Sequence, residues 1–316
     1  MSFFFGNDRL SLIPSADRDC TAGRDRSDTG SGMKTDAFLG GETMTETAST
    51  CTVNGYRLAY HSAGSGEVVL LVHGITTYSF IWRRIVPLLA DRYRVISIDL
   101  LGCGDSGKPL DIPYSLPRHA ELLRDFIREQ GISPVHLVGH DIGGGICQVF
   151  AVNHPEMLID IVMVNSVGHD FWPVQPIIAM RTPIIRQLAM ATLDIGAFRL
   201  VIRRGLYHKE RLDETLMELF WQPMRTREGR RAFLHFADCL NNRHLVEIES
   251  DLRRLALPAL IIRGDGDVYL SSAIAEKLHD DIPGSRLVRI ATGGHFIQED
   301  EPEMVADALL RFYRRE

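Results

Sequence analysis

Gly139-His140-Asp141-Ile142-Gly143-Gly144 lies between an apolar run, Val135-His136-Leu137-Val138, and a stretch from Ile142 to Asn153 that suits a helix. This is the pattern of a sharp strand-to-helix turn. Glycines flank its central residue because a side chain beside it would collide with strand or helix. The central residue, lifted at the tip of such a turn, is Asp141. A carboxylate there attacks carbon and becomes an alkyl ester, whereas a serine would form an acyl ester. That one residue points toward cleavage of a carbon–halogen bond or an epoxide carbon–oxygen bond.

From residue 51 onward, strand-sized apolar runs alternate with helical patterns, which argues for a mostly parallel sheet covered on both faces. Thr52-Val53 and Arg57 to His61, joined at Asn54-Gly55, read as an opening hairpin. Further strands are expected at Val68–Val72, Tyr93–Ile98, Val135–Val138, Ile159–Val164, Ala259–Ile262 and Leu287–Ile290. Helices are expected over Tyr78–Ala90, Pro117–Gln130, Ile142–Asn153, Ala273–His279 and Glu301–Tyr313. The alternation stops between Gly168 and Glu247, where apolar residues recur at helical intervals. An all-helical insert of this kind reads as a cap over an active site. The expected organisation is therefore an extension over 1–50, a core over 51–167 and 248–316, and a helical cap over 168–247.

Composition narrows the function classes. The chain has 316 residues, 45% hydrophobic and 24% charged, enough for a sizeable core. A net charge of −6 offers no basic patch for nucleic acid. Five scattered cysteines without C-x-x-C spacing fit a reducing, cytoplasmic setting better than a disulfide framework or a zinc site. No apolar run approaches the length of a membrane span. The first ~50 residues are rich in Asp, Arg, Ser, Thr and Gly, too poor in large hydrophobes to offset their ordering entropy. They read as a disordered tail, or as sequence preceding a start at Met33 or Met44.

Four motifs in order carry a resemblance to a known family. They are Leu71-Val72-His73-Gly74, Asp99-Leu100-Leu101-Gly102-Cys103-Gly104-Asp105-Ser106, the Asp141 turn, and Gly293-Gly294-His295-Phe296 ahead of Glu299-Asp300-Glu301-Pro302. From Cys51 to the C-terminus the chain resembles the α/β-hydrolase superfamily, specifically its epoxide hydrolase and haloalkane dehalogenase branch. The resemblance implies an α/β-hydrolase fold: a mostly parallel, eight-stranded sheet flanked by helices, with a helical cap inserted after strand 6.

It also implies roles. Asp141 is the expected nucleophile, and His295 the base that activates water against the ester. The orienting acid follows the penultimate strand in Gly264-Asp265-Gly266-Asp267. Family spacing selects Asp267, with Asp265 as the alternative. No acid stands near Asn165-Ser166, where another branch carries it. The backbone N–H groups of Ile142 and Ile75 are the expected oxyanion hole. His73 and His140 read as structural residues beside the turn, and Asp99 and Asp105 as braces of their loop. The remaining histidines lack the spacing of a metal site, and the mechanism needs no cofactor.

The substrate is harder to read. Related haloalkane dehalogenases place tryptophan after the nucleophile and often asparagine after His-Gly, both holding the halide. Here those positions are Ile142 and Ile75, and each missing donor costs roughly 3 kcal/mol. Fluoroacetate dehalogenases place arginine after the nucleophile, which Ile142 also lacks. Epoxide hydrolases instead use cap tyrosines to hold the ring oxygen. Tyr207 is the cap tyrosine, with His208 or His235 as a second donor; Trp172 and Trp221 are candidate pocket walls. A small apolar substrate and water are the expected partners, with Ile177, Ile178, Met180, Phe198, Leu206, Phe220, Phe233 and Phe236 available to line the site. Epoxide hydrolysis leads, followed by dehalogenation through an atypical halide site. Ester or lactone hydrolysis and non-catalytic ligand binding remain open.

Overall fold

The computed structural model describes residues 47–170 and 195–316. The expected tail, apart from its last four residues, lies outside this range, as do Trp172, Ile177, Ile178 and Met180. Strand β1 (Thr47–Val53) pairs antiparallel with β2 (Tyr56–Ala63), in register from Thr47 with Ser62 to Val53 with Tyr56. The turn residues Asn54 and Gly55 have φ of 51° and 82°, the left-handed pair that Asn-Gly adopts at little cost. β1 begins inside the stretch expected to be an extension. Its Thr-Ala-Ser-Thr start carries no large hydrophobe, so the strand is defined by its partner and not by its pattern.

The remaining strands are β3 (Val68–Val72), β4 (Arg94–Ile98), β5 (Val135–Asp141), β6 (Leu158–Ser166), β7 (Ala259–Gly264) and β8 (Arg286–Ile290). They form one eight-stranded sheet in the order β1-β2-β4-β3-β5-β6-β7-β8. Every neighbour from β4 to β8 is parallel, and the first two pairings are antiparallel. This is the expected fold class. Every residue of β3 and β5 is buried, as a central parallel strand covered on both faces requires. β8 at the edge is half-exposed.

The helices against the sheet are α1 (Val86–Leu89), α2 (Leu116–Gln130) and α3 (Ile142–Asn153). The single helix expected over Tyr78–Ala90 is a 3-10 turn at Ser79–Trp82 followed by the short α1. Pro87 lacks the N–H that a continuous helix would use there. After β6, the described chain is helical: α4 (Ile195–Gly205), α5 (Glu214–Trp221), α6 (Arg227–Cys239), α7 (Arg243–Val246) and α8 (Glu249–Leu252). Asp213 caps α5 by accepting from Leu216 N–H at 2.7 Å, and Thr226 caps α6 through Gly229 N–H at 2.9 Å. Their inner faces bury Leu216, Met217, Phe220, Phe233 and Phe236. A buried phenylalanine contributes about 1.5–3 kcal/mol.

Phe220 anchors this helical segment to the sheet side. Its ring meets Phe80 at 5.0 Å and Phe296 at 4.8 Å. The chain closes with α9 (Ser272–Asp281), α10 (Ile297–Asp300) and α11 (Pro302–Tyr313). Among the described residues, no helix is long and apolar enough to cross a membrane.

Candidate active site

Asp141 ends β5 and precedes α3 with φ 54° and ψ −122°. That region is costly for a side-chain-bearing residue, by about 1–3 kcal/mol, and is held here by the surrounding packing. The turn is too tight for a side chain on its flank: a Cβ at Gly139 would lie 2.3 Å from the carbonyl oxygen of Gly143. Gly74 meets the same limit from the neighbouring loop, where a Cβ would lie 2.8 Å from the Asp141 Cβ. The loop after β3 is thus pressed against the aspartate.

The close approach brings main-chain donors to the carboxylate. Ile75 N–H donates to Asp141 Oδ2 at 3.2 Å, and Ile142 N–H also bonds the carboxylate. Both side chains are buried, Ile75 at 6% exposure and Ile142 at 2%. Burial pushes the Asp141 pKa above the ordinary carboxylate value, against the pull of His295 and the two N–H groups.

His295 and Asp267 form a pair. His295 Nδ1 donates to Asp267 Oδ2 at 3.0 Å, which leaves Nε2 as the basic nitrogen. Arg263 Nη1 donates to the same oxygen at 3.2 Å, and the N–H groups of Tyr269 and Leu270 donate to Oδ1 at 2.8 and 3.1 Å. Burial alone would raise the Asp267 pKa, but His295, Arg263 and the Tyr269 N–H hold it below the ordinary value. Burial alone would lower that of His295; Asp267 and then Asp141 outweigh it and raise it. Asp265, the alternative acid, pairs instead with Arg289 at 2.8 Å near the surface.

A model of the alpha/beta hydrolase family matches residues 69–308. The chain belongs to the alpha/beta hydrolase family.

Among curated relatives of this hydrolase, haloalkane dehalogenase 2 of Mycobacterium tuberculosis is 28% identical over 270 residues, covering 80% of the chain and 90% of the relative. The cis-3-alkyl-4-alkyloxetan-2-one decarboxylase of Shewanella oneidensis is 27% identical over 273 residues, covering 82% and 86%. The solved epoxide hydrolase CorEH superposes with a TM-score of 0.71 over 86% of the chain and 99% of its own, at 22% identity, and shares the fold.

His73 Nδ1 donates to Gly74 O at 2.7 Å and its Nε2 accepts from Leu100 N–H at 2.9 Å, tying two loops of the hydrolase together. Asp99 accepts from Ser79 and Asp105 N–H at 2.8 and 2.7 Å, while Asp105 is exposed. Tyr207 does not join the pair of His295 and Asp267. It is 45% exposed, its ring packs on Gly266 and on His208, and its N–H is bound by Asp300. His208 Nε2 is hydrogen-bonded to Glu301 Oε1 at 2.9 Å. His235 bonds the carbonyl of Ile112 at 2.7 Å. Trp221 is half-buried, between Phe198 and the Arg230 guanidinium.

His169, Glu249 and Asp281 bring ligand atoms within 4.8 Å of one another. Both carboxylates are also ion-paired to Lys277 and Arg253, so the cluster already holds its cations. Tyr269, not anticipated from the sequence, stands edge-on to the His295 ring at 5.3 Å and donates its hydroxyl to Val201 O at 2.6 Å. Its place two residues after Asp267 was the available signal.

Proposed function

We propose that this hydrolase opens an epoxide or a similar small, strained, apolar oxygen ring through a covalent alkyl ester on Asp141. The observation that carries the reading is the hold on Asp141: Ile75 N–H binds Oδ2, which leaves Oδ1 to attack carbon. As the Oδ1–carbon bond forms, the ring carbon–oxygen bond breaks and its electron pair stays on the substrate oxygen, which takes up a proton from solvent. His295 Nε2 then removes a proton from water as it adds to the ester carbonyl. The oxyanion forms on Oδ2, where the Ile75 N–H already points. Collapse expels the alcohol and restores the carboxylate.

The leaving oxygen stays tethered to the substrate in this chemistry, so no site for a free anion is required. That agrees with buried isoleucine side chains at positions 75 and 142. Similarity to a decarboxylase of a cis-3-alkyl-4-alkyloxetan-2-one, a strained oxygen ring, also favours it. Tyr114 and Tyr269 donate their hydroxyls to the carbonyls of Pro109 and Val201, so neither is free to hold the ring oxygen. A cap role for residues 168–247 is part of this reading, supported by Phe220 packing on Phe80 and Phe296. Dehalogenation is the second reading, favoured by the 28% identical relative.

A single turnover of 1,2-epoxyhexane in ¹⁸O-labelled water tests the mechanism. Unlabelled diol and a labelled Asp141 carboxylate are the expected products. Label in the first-turnover diol instead would mean direct attack by water, and would end this reading.

A further inference from the structure

The main chain around His295 has no spare polar group. Gly294 N–H donates to Asp300 Oδ2 at 2.9 Å, and Gly294 O accepts from Asn165 Nδ2 at 2.7 Å. His295 N–H donates to Gly205 O at 2.7 Å, and His295 O accepts from His140 Nε2 at 2.8 Å and Asn165 Nδ2 at 3.1 Å. Asp300 itself is completely buried. Besides Gly294, its carboxylate accepts from Tyr207 N–H at 2.9 Å on Oδ2 and from His208 N–H at 2.9 Å on Oδ1. One buried anion therefore joins the residue before His295 to the chain leaving α4. Gly205, at the end of α4, closes the same ring from the other side.

We propose that Asp300 is a positioning residue for His295, acting through the main chain, with Gly205–His208 as the other half of the clamp. The direction of the imidazole then depends on the helical segment being seated. A buried carboxylate without its partners is expensive, so the three N–H groups and the anion hold one another in place. The kinetic consequence rests on the proposed function, in which His295 acts on the ester and not on its formation. A loosened clamp would slow the second step selectively, because a small misplacement of a general base costs about 10²-fold.

The test compares Asp300→Asn with wild type and with His295→Gln, using 1,2-epoxyhexane and, in parallel, 1-bromohexane. Asparagine keeps one oxygen but turns an NH₂ toward main-chain donors. Adduct formation on Asp141 should stay within about 3-fold of wild type, while adduct breakdown slows by about 10- to 100-fold. Both steps slowed equally in folded protein, or neither slowed, would overturn the proposal. If Asp300→Asn fails to fold, Gly205→Ala probes the same clamp with the carboxylate intact, since the new methyl would lie 2.6 Å from the Phe296 ring. It should give the same selective loss. A second readout needs no substrate: the proton resonance of His295 Nδ1–H should shift or broaden in Asp300→Asn. An unchanged resonance would contradict the proposal. Absence of any adduct in His295→Gln would instead count against the alkyl-ester reading, leaving the resonance to decide the role of Asp300.

Discussion

His140 Nε2 donates to the main-chain carbonyl of His295 at 2.8 Å, so the residue before Asp141 holds the loop of the base. Burial depresses the His140 pKa to about 3, and the neutral ring therefore offers a fixed N–H to that carbonyl. His140→Ala removes this donor and leaves Asn165 holding the carbonyl alone. Activity should fall about 10-fold or more, and unfolding by urea should show a loss of about 1–3 kcal/mol.

Asn165 is a donor where an acid would be an acceptor. It faces the carbonyls of Gly294 and His295 at 2.7 and 3.1 Å, and its own oxygen accepts from Gly264 N–H at 2.8 Å. Asn165→Asp sets a carboxylate against two carbonyls. Stability should drop by about 1–3 kcal/mol at neutral pH and recover in part as pH falls and the new acid protonates. Chemical denaturation at two pH values measures it.

Asp267→Asn breaks a buried pair from both sides. The 3% exposed Arg263 loses its counter-charge, and the amide no longer selects the Nδ1–H form of His295. Breakdown of the covalent intermediate should slow by about 10³- to 10⁴-fold, and stability should fall by about 3–5 kcal/mol. Single-turnover kinetics and urea denaturation read the two effects separately.

The charge on Asp141 is one of the influences that raise the His295 pKa. Esterification removes it, so the pKa of His295 should fall once the adduct forms. The acidic limb for adduct breakdown should therefore lie at lower pH than the titration of His295 in the free enzyme. In the free enzyme, the raised value contributes stability that is present below the unfolded value of 6.5 and lost as pH rises through the folded one. His295→Gln should thus cost more stability just below 6.5 than well above it.

The fold was legible because its determinants are local. The apolar runs at Val68–Val72 and Val135–Val138 match central strands, and the Asn54-Gly55 turn announces its hairpin. The break at Pro87 is also written in the sequence but was overridden by the apolar period around it. The site was partly legible. Glycines beside Asp141 reflect steric needs that only glycine meets, and Gly74 shows the same need from a distant loop. Asp300 lies within Glu299-Asp300-Glu301-Pro302, yet a carboxylate that binds main-chain N–H groups leaves no pattern to read. Exposure of Tyr207 depends on how Gly266 and the chain leaving α4 pack, which no spacing encodes.

The most direct measurement is intact-protein and peptide mass spectrometry of His295→Gln after exposure to 1,2-epoxyhexane or 1-bromohexane. A stable adduct is expected on the peptide containing Asp141, with the whole epoxide's mass retained in the first case. An adduct from bromohexane alone, lacking bromine and accompanied by free bromide, would move the substrate to a haloalkane. No adduct on Asp141 from either compound, in folded protein, would contradict the alkyl-ester mechanism itself.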